Sequence, residues 1–182
     1  MKQSAIVTGC RGRLGRAFVS RLLREGFEVH GMDIGETQDR TSAPGERLYF
    51  FDLAYEHGDP DGHVERVSGH LENWRCYEAI FVPSSLWIGA DSPYGRAKLA
   101  IEQLAARYCA LGARVVTDRI GYFPGDGIEP DPNEPFYQHR VTGDALYARI
   151  MERMRPPIET QRASAIASPS PQAPSSAQCV PA

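Results

Sequence analysis

A TGxxGxxG loop, Thr8-Gly9-Cys10-Arg11-Gly12-Arg13-Leu14-Gly15, lies close to the start of the chain. The apolar run at residues 4–7 before it is typical of a strand buried in a parallel sheet. After the loop, apolar residues recur at helical spacing until Gly26, where a helix is expected to end. The pattern predicts a strand, a glycine turn and a helix, which together form the first unit of a parallel α/β sheet.

The glycines of this loop have a chemical use as well as a structural one. They allow a tight turn and let a pyrophosphate approach the main chain, while the helix N-terminus supplies free N–H groups. By itself the pattern is equally consistent with a plain tight turn. Asp33 follows Gly15 by 18 residues and ends the second predicted strand, where a carboxylate can bind an adenosine ribose. The two features favour dinucleotide binding at Gly9, Arg11, Gly12, Arg13, Leu14, Gly15 and Asp33.

The same aspartate predicts which dinucleotide is bound. Asp33 can accept a hydrogen bond from a free 2′-hydroxyl, but it would repel the 2′-phosphate of NADP. We therefore expect NAD, with NADP bound less well. Arg11, Arg13 and Arg40 are close enough in sequence to reduce that repulsion.

A second motif, Tyr94-Gly95-Arg96-Ala97-Lys98, falls in a predicted helix over residues 93–111. Residues four apart share a helix face, so the ammonium can lie beside the phenol and bring its pKa toward the neutral range. The alternative is an ordinary exposed pair. Only two of the 20 basic residues are lysines, Lys2 and Lys98. This rarity favours a specific role for Lys98 that needs a compact point charge.

Two serines follow the predicted strand at residues 79–82. Ser84 and Ser85 therefore lie at the carboxyl edge of the sheet, where ligands bind in open α/β folds. Either hydroxyl could hydrogen-bond a substrate oxygen, although serines in such places are often only turn formers. The sequence leaves open which of the two would act.

In these motifs and their order, the chain resembles the extended branch of the short-chain dehydrogenase/reductases, which includes NAD-dependent sugar epimerases, dehydratases and dehydrogenases. The resemblance covers residues 4–155. The matching segments are TGCRGRLG (8–15), Asp33, Asp52-Leu53, SSLWIG (84–89), SPYGRAKLAIEQ (92–103) and RIGYFPG (119–125).

For the cofactor, the resemblance implies NAD with its pyrophosphate over the glycine loop and its adenosine ribose at Asp33. The adenine is expected near Asp52 and Leu53. Lys98 would hold the nicotinamide ribose, and Tyr94 would lie beside it.

For the chemistry, the resemblance implies oxidation or epimerisation at a sugar or sugar-acid hydroxyl. Tyr94 would be the general acid/base, Lys98 would tune it, and Ser84 or Ser85 would polarise the substrate oxygen. Dehydration is disfavoured because no acidic residue adjoins the serines. A non-catalytic nucleotide-binding regulatory or scaffold protein of the same fold is the alternative.

The chain is short in the middle for this family. Ser84 follows Asp52 by only 32 positions, where the family has two strand–helix units of about 30 residues each. We therefore expect a Rossmann-like parallel sheet, with helices on both faces, that lacks one inner strand. The first strand would then either pair directly with the strand at 79–82, displacing the serines, or leave unpaired backbone groups at an apolar edge. Direct pairing is the less costly outcome. Residues 1–155 are expected to form the dinucleotide-binding domain and residues 156–182 a disordered Pro/Ser/Ala-rich tail.

Composition narrows the expected partners and location. The net charge of −3 gives no basic field for nucleic acid, and no apolar run is long enough for a membrane span. The four cysteines form no CxxC pair, so no metal site is predicted and a cytoplasmic location is expected. The expected partner is a small sugar-like substrate, and a homodimer is left open.

Overall fold

The computed structural model describes residues 2–36, 45–56, 58–89, 91–123, 132–133 and 139–156. The predicted tail beyond Pro156 lies outside these residues, as do Arg40 and the end of the RIGYFPG segment. The described residues form five strands and four α-helices: β1 (Lys2–Thr8), α1 (Arg13–Arg24), β2 (Glu28–Gly31), β3 (Glu46–Asp52), α2 (Pro60–Glu72), β4 (Ala79–Ser85), α3 (Pro93–Ala110), β5 (Val115–Ile120) and α4 (Gly143–Met154). Two short 3₁₀ turns lie at Trp74–Cys76 and Leu86–Gly89.

The five strands form one parallel sheet in the order β2-β1-β3-β4-β5. Along β3, Tyr49 and Phe51 face the core under α1 and α4, whereas Leu48 and Phe50 face the core under α2 and α3. This alternation follows from the two-residue period of a strand. The predicted Rossmann-like sheet with helices on both faces is confirmed.

The predicted loss of an inner strand is wrong. β3 lies between β1 and β4, pairing with β1 from Lys2 opposite Glu46 to Thr8 opposite Asp52. In the usual doubly wound order the third strand lies outside the second, but among the described residues no strand lies beyond β2. The shortening has therefore removed an edge position. Loss of an edge strand leaves fewer backbone groups unpaired than loss of an inner strand would, because an inner strand hydrogen-bonds on two sides and an edge strand on one.

This strand order preserves the spacing of the functional segments. Since β3 separates β1 from β4, the serines are not displaced toward the glycine loop, and direct pairing of β1 with β4 does not occur. The carboxyl ends of the parallel strands meet at one edge, which carries Thr8, Asp52, Ser85 and Ile120.

Among the described helices, none is both long and apolar enough to cross a membrane.

Candidate active site

The glycine loop turns tightly between β1 and α1. Gly9 has a φ of +63°, which favours glycine. A Cβ on Gly15 would lie 2.1 Å from the Gly9 carbonyl oxygen, so the first turn of α1 can approach the loop only because residue 15 lacks a side chain.

The N-terminus of α1 differs from those of the other three α-helices in the described part of the chain. Asp59, Ser92 and Thr142 each accept a hydrogen bond from a first-turn N–H of α2, α3 and α4 respectively. The N-cap of α1 is Gly12, which has no side chain to do so, and its first turn carries no acid. The exposed N–H groups and the positive end of the helix dipole are therefore available to an anion.

A cleft of about 870 Å³ connects this loop to Tyr94 and Lys98 and to the two serines, Ser84 and Ser85. The lining brings together residues predicted for the cofactor and residues predicted for catalysis. It consists of Gly12, Arg13, Leu14, Gly15, Arg16, Leu53, Tyr55, Pro83, Ser84, Ser85, Trp87, Tyr94, Lys98, Ile120, Gly121, Tyr122 and Phe123.

Asp33 lies after β2, at the outer side of the glycine loop. The Arg11 guanidinium lies 3.9 Å from its carboxylate and 3.0 Å from that of Glu36. Glu36 in turn accepts a hydrogen bond from the Asp33 backbone N–H at 2.8 Å. Sequence reasoning missed Glu36. The three side chains carry one positive and two negative charges, so this part of the surface is acidic despite the arginine.

The structure separates Asp52 from Asp33, because β1 lies between the strands that carry them. Asp52 is 2% exposed. Its carboxylate accepts a hydrogen bond from the Thr8 hydroxyl at 2.9 Å and lies 2.8 Å from His70 Nδ1. The predicted adenine contact does not fit this interior position. Leu53 does line the cleft.

The two serines face different partners, because side chains alternate along β4. The Ser84 hydroxyl donates to the Glu102 carboxylate at 2.6 Å, and Glu102 forms a two-bond ion pair with Arg119. The Ser85 hydroxyl accepts a hydrogen bond from the Trp87 backbone N–H at 3.2 Å, and it lies near enough to the Tyr94 phenol to lower the pKa of that group. Of the two candidates, Ser85 is therefore the one beside the predicted acid/base.

Tyr94 lies in the first turn of α3, the helix that also carries Lys98. Ser92 caps α3, with its hydroxyl accepting from the Gly95 N–H at 3.0 Å, and Pro93 favours the first turn. Burial raises the pKa of the Tyr94 phenol, and its interaction with Ser85 acts in the opposite direction. The expected lowering of this pKa by Lys98 is not what the structure gives, because burial dominates.

Lys98 is 4% exposed, and its ammonium faces inward. Nζ lies 3.0 Å from His63 Nε2 and 3.1 Å from the Pro83 carbonyl oxygen. It is 5.7 Å from the centre of the Tyr94 ring and 5.2 Å from that of Tyr55. Burial lowers the Lys98 pKa to about 8, although the Asp52 carboxylate partly opposes this. The side chain is therefore still mostly an ammonium at neutral pH.

His63 is the residue of this cluster that the sequence did not single out. It is 1% exposed on α2 and contacts the Tyr55 ring edge to face, with centroids 5.0 Å apart. Burial, and then the Lys98 charge, lower the His63 pKa to about 4. The sequence did carry one indication that His63 is buried, because it precedes Val67 and Leu71 at helical spacing on the buried face of α2.

No family model matches the sequence, and no curated protein matches it significantly. Solved structures do match. The capsular polysaccharide assembling protein CapF from Staphylococcus aureus aligns with a TM-score of 0.59 at 19% identity, over 86% of this chain and 52% of its own. This chain therefore spans about half the length of CapF.

Two further structures align over more of their own length. UDP-N-acetylglucosamine 4-epimerase from Bacillus cereus has a TM-score of 0.60 at 14% identity, over 85% of this chain and 74% of its own. WbmH from Bordetella bronchiseptica, solved in complex with NAD⁺, has a TM-score of 0.57 at 18% identity, over 85% of this chain and 72% of its own. The chain therefore shares the Rossmann-like fold of these three proteins, and the fold that the motifs predicted is confirmed.

Proposed function

We propose that the chain is an NAD-dependent oxidoreductase or epimerase of the extended short-chain dehydrogenase/reductase family, acting on a sugar or sugar-acid hydroxyl. The observation that carries this proposal is the single cleft lined both by the glycine loop and by Ser85, Tyr94 and Lys98. A dinucleotide site and a proton-transfer site open into the same space, as hydride transfer requires.

The residues of the loop fit a dinucleotide. The first turn of α1 has no side-chain cap, and a Cβ at Gly15 would close the approach between loop and helix. These features suit a pyrophosphate, and Asp33, which lies beside the loop, would bind the adenosine ribose. When bound, NAD supplies the hydride acceptor.

The side chains of the cleft that lie away from the glycine loop would transfer the proton of the substrate hydroxyl. Tyr94 takes the proton of the substrate hydroxyl as hydride leaves the adjacent carbon. Ser85 donates to the developing oxygen charge, and the Lys98 ammonium favours the phenolate through its positive field. Since burial raises the Tyr94 pKa, the opposing effect of Ser85 favours the action of this tyrosine as a base.

The walls of the cleft suit a sugar-like substrate. The rings of Trp87 and Tyr122 pack edge to face at 5.0 Å and both line the space. Aromatic walls give apolar contact area to a polar molecule whose hydroxyls need a few placed partners. The B. cereus protein is named as an epimerase of a nucleotide-linked sugar, which supports the same substrate class here.

A non-catalytic nucleotide-binding protein is the second candidate. It is favoured by the sheet, in which no strand among the described residues lies beyond β2. The two candidates share the glycine loop, and they differ in what Ser85, Tyr94 and Lys98 do.

A two-step experiment separates the candidates. NAD is first titrated into the full chain by calorimetry, with Gly15→Ala as the variant that should abolish binding. Gly69→Ala is the matched control, because a Cβ at Gly69 meets nothing within 4 Å. Sugar and nucleotide-sugar alcohols are then screened by the absorbance of reduced nicotinamide, and candidate epimerisation is followed by NMR. Failure of NAD to bind contradicts both candidates, while binding without turnover on any substrate supports the second.

A further inference from the structure

The ammonium of Lys98 has three N–H donors and no acceptor. Within the described residues, two acceptors face it from the protein interior, His63 Nε2 at 3.0 Å and the Pro83 carbonyl oxygen at 3.1 Å. Lys98 also lines the cleft. One N–H is therefore left for a molecule bound there, and its direction is set by the two internal bonds.

The chemistry of this contact fixes the state of His63. A charged lysine can only donate, so Nε2 must accept and the imidazole must be neutral with its proton on Nδ1. Within the described residues, Nδ1 is buried and has no hydrogen-bond partner. A buried donor without a partner destabilises the fold. A residue chosen only to fill the core would avoid this cost, as Val67 and Leu71 do on the same stripe of α2.

We propose that His63 is a positioning residue for Lys98, holding the ammonium beside the rings of Tyr55 and Tyr94 with one N–H directed into the cleft. The catalytic consequence of this role rests on the proposed function. The contact between His63 and Lys98 does not rest on the proposed function, because it involves only these two side chains.

The charged groups around His63 come from three elements. Lys98 approaches from α3 and Asp52 from β3, while Arg66 lies on α2 and Asp59 caps that helix. The two acids partly offset the two cations, yet burial keeps the imidazole neutral. Protonation would replace the acceptor with a second cation 3.0 Å from the ammonium, so the arrangement requires a neutral ring.

The rarity of lysine makes a direct test possible. The chain contains two lysines, so selective ¹³C,¹⁵N-lysine labelling gives two side-chain signals, and Lys2→Arg identifies that of Lys98. His63→Leu removes the acceptor and leaves an apolar side chain. We expect the Lys98 pKa to fall further by about one to two units, as for the loss of a hydrogen bond to a charged group.

His63→Gln is the conservative variant, because its amide oxygen can accept from the ammonium. We expect it to restore the Lys98 pKa to within about half a unit of the wild-type value. Thermal unfolding of the three proteins checks that each is folded. A Lys98 pKa that is the same in folded His63→Leu as in the wild type would overturn the proposal.

A second measurement covers the case in which His63→Leu does not fold. The ¹⁵N shifts of the wild-type histidines, with His63 assigned through His63→Gln, report the tautomer directly. We expect the Nδ1–H form near neutral pH, and the Nε2–H form would overturn the proposal because that nitrogen could not accept.

The outcome for the proposed function is read separately. If a substrate is found, His63→Leu should lower kcat and shift the pH profile of kcat, and His63→Gln should recover both. If no substrate is turned over by the wild type, the NMR results still decide the role of His63. Turnover with an unchanged Lys98 pKa in His63→Leu would leave the proposed function standing and remove His63 from it.

Discussion

The protein holds its charged groups in opposite ways in the cleft and on the surface beside the glycine loop. Beside the loop, Arg11, Asp33 and Glu36 meet outside the cleft lining, and the side chains of Arg11 and Glu36 are 74% and 46% exposed. In the cleft, Lys98 is 4% exposed and bonds His63, which is 1% exposed.

The two groups of charges differ in their exposure to solvent. Exposed ion pairs are screened and typically contribute about 1 kcal/mol or less, so their geometry tunes affinity and steers ligands. In the interior, each polar group needs a specific partner, and burial moves the pKa of Tyr94, Lys98 and His63. Substitutions in the buried group should therefore have the larger effects.

The largest effect is expected for Tyr94→Phe, which removes the proton-transferring hydroxyl and keeps the ring. Turnover should fall by about 10² to 10⁴, with NAD affinity almost unchanged, as measured by steady-state kinetics and calorimetry. Tyr108→Phe is the matched control, since Tyr108 lies on the same helix and packs against the core under α2 and α3. Full activity of Tyr94→Phe on a verified substrate would remove it from the proposed mechanism.

A smaller effect is expected for Ser85→Ala, with its neighbour Ser84 as an internal control. Loss of the donor beside Tyr94 should reduce kcat by about 10² to 10³. Ser84→Ala loses a bond to Glu102, which keeps Arg119, so kcat should stay within about threefold and stability should fall by about 1 kcal/mol. Kinetics that rank the serines the other way would assign the role to Ser84.

The stability of the chain should depend on pH through Lys98. Below about pH 8 both folded and unfolded chains hold its proton, whereas between about 8 and the ordinary value of 10.5 only the unfolded chain does. Stability relative to Lys98→Gln should therefore rise with pH across this window, by at most about 3 kcal/mol.

Urea unfolding of wild type and variant at each end of this window measures that difference. Lys2→Gln is the control, because the Lys2 side chain is 62% exposed and its charge remains in water in both states. A difference between wild type and Lys98→Gln that is independent of pH would mean that the Lys98 ammonium is solvated.

The smallest effect is expected for the exposed charges beside the glycine loop. NAD should bind more tightly than NADP, since Arg11 is already shared by two carboxylates. Asp33→Asn should narrow the ratio of the two Kd values by roughly fivefold, the size expected for one exposed charge pair. The change should shrink as salt is added. Equal Kd values in the wild type would show that Arg11 outweighs the acids.

The sequence predicted the features that depend on local pattern. The glycine loop, the alternation of strands and helices, and the placement of Tyr94 and Lys98 on one helix all follow from spacing along the chain. These predictions needed no knowledge of strand order.

Features that depend on strand order and side-chain direction were not predictable in this way. β3 is a buried apolar strand, and nothing in Leu48–Phe51 distinguishes an inner place from an outer one. Ser84 and Ser85 are adjacent, so only the direction of alternation at the end of β4 separates them. His63 acquires its role from a contact with a residue 35 positions away, which helical periodicity alone cannot reveal.

The uncapped N-terminus of α1 has a thermodynamic consequence for the whole protein. An anion that binds those N–H groups binds the folded chain alone, because the unfolded chain has no helix end to offer. Each tenfold rise in ligand concentration above its Kd then adds about 1.4 kcal/mol to the free energy of unfolding. If the ligand is the proposed dinucleotide, the free energy of unfolding should therefore rise with its concentration.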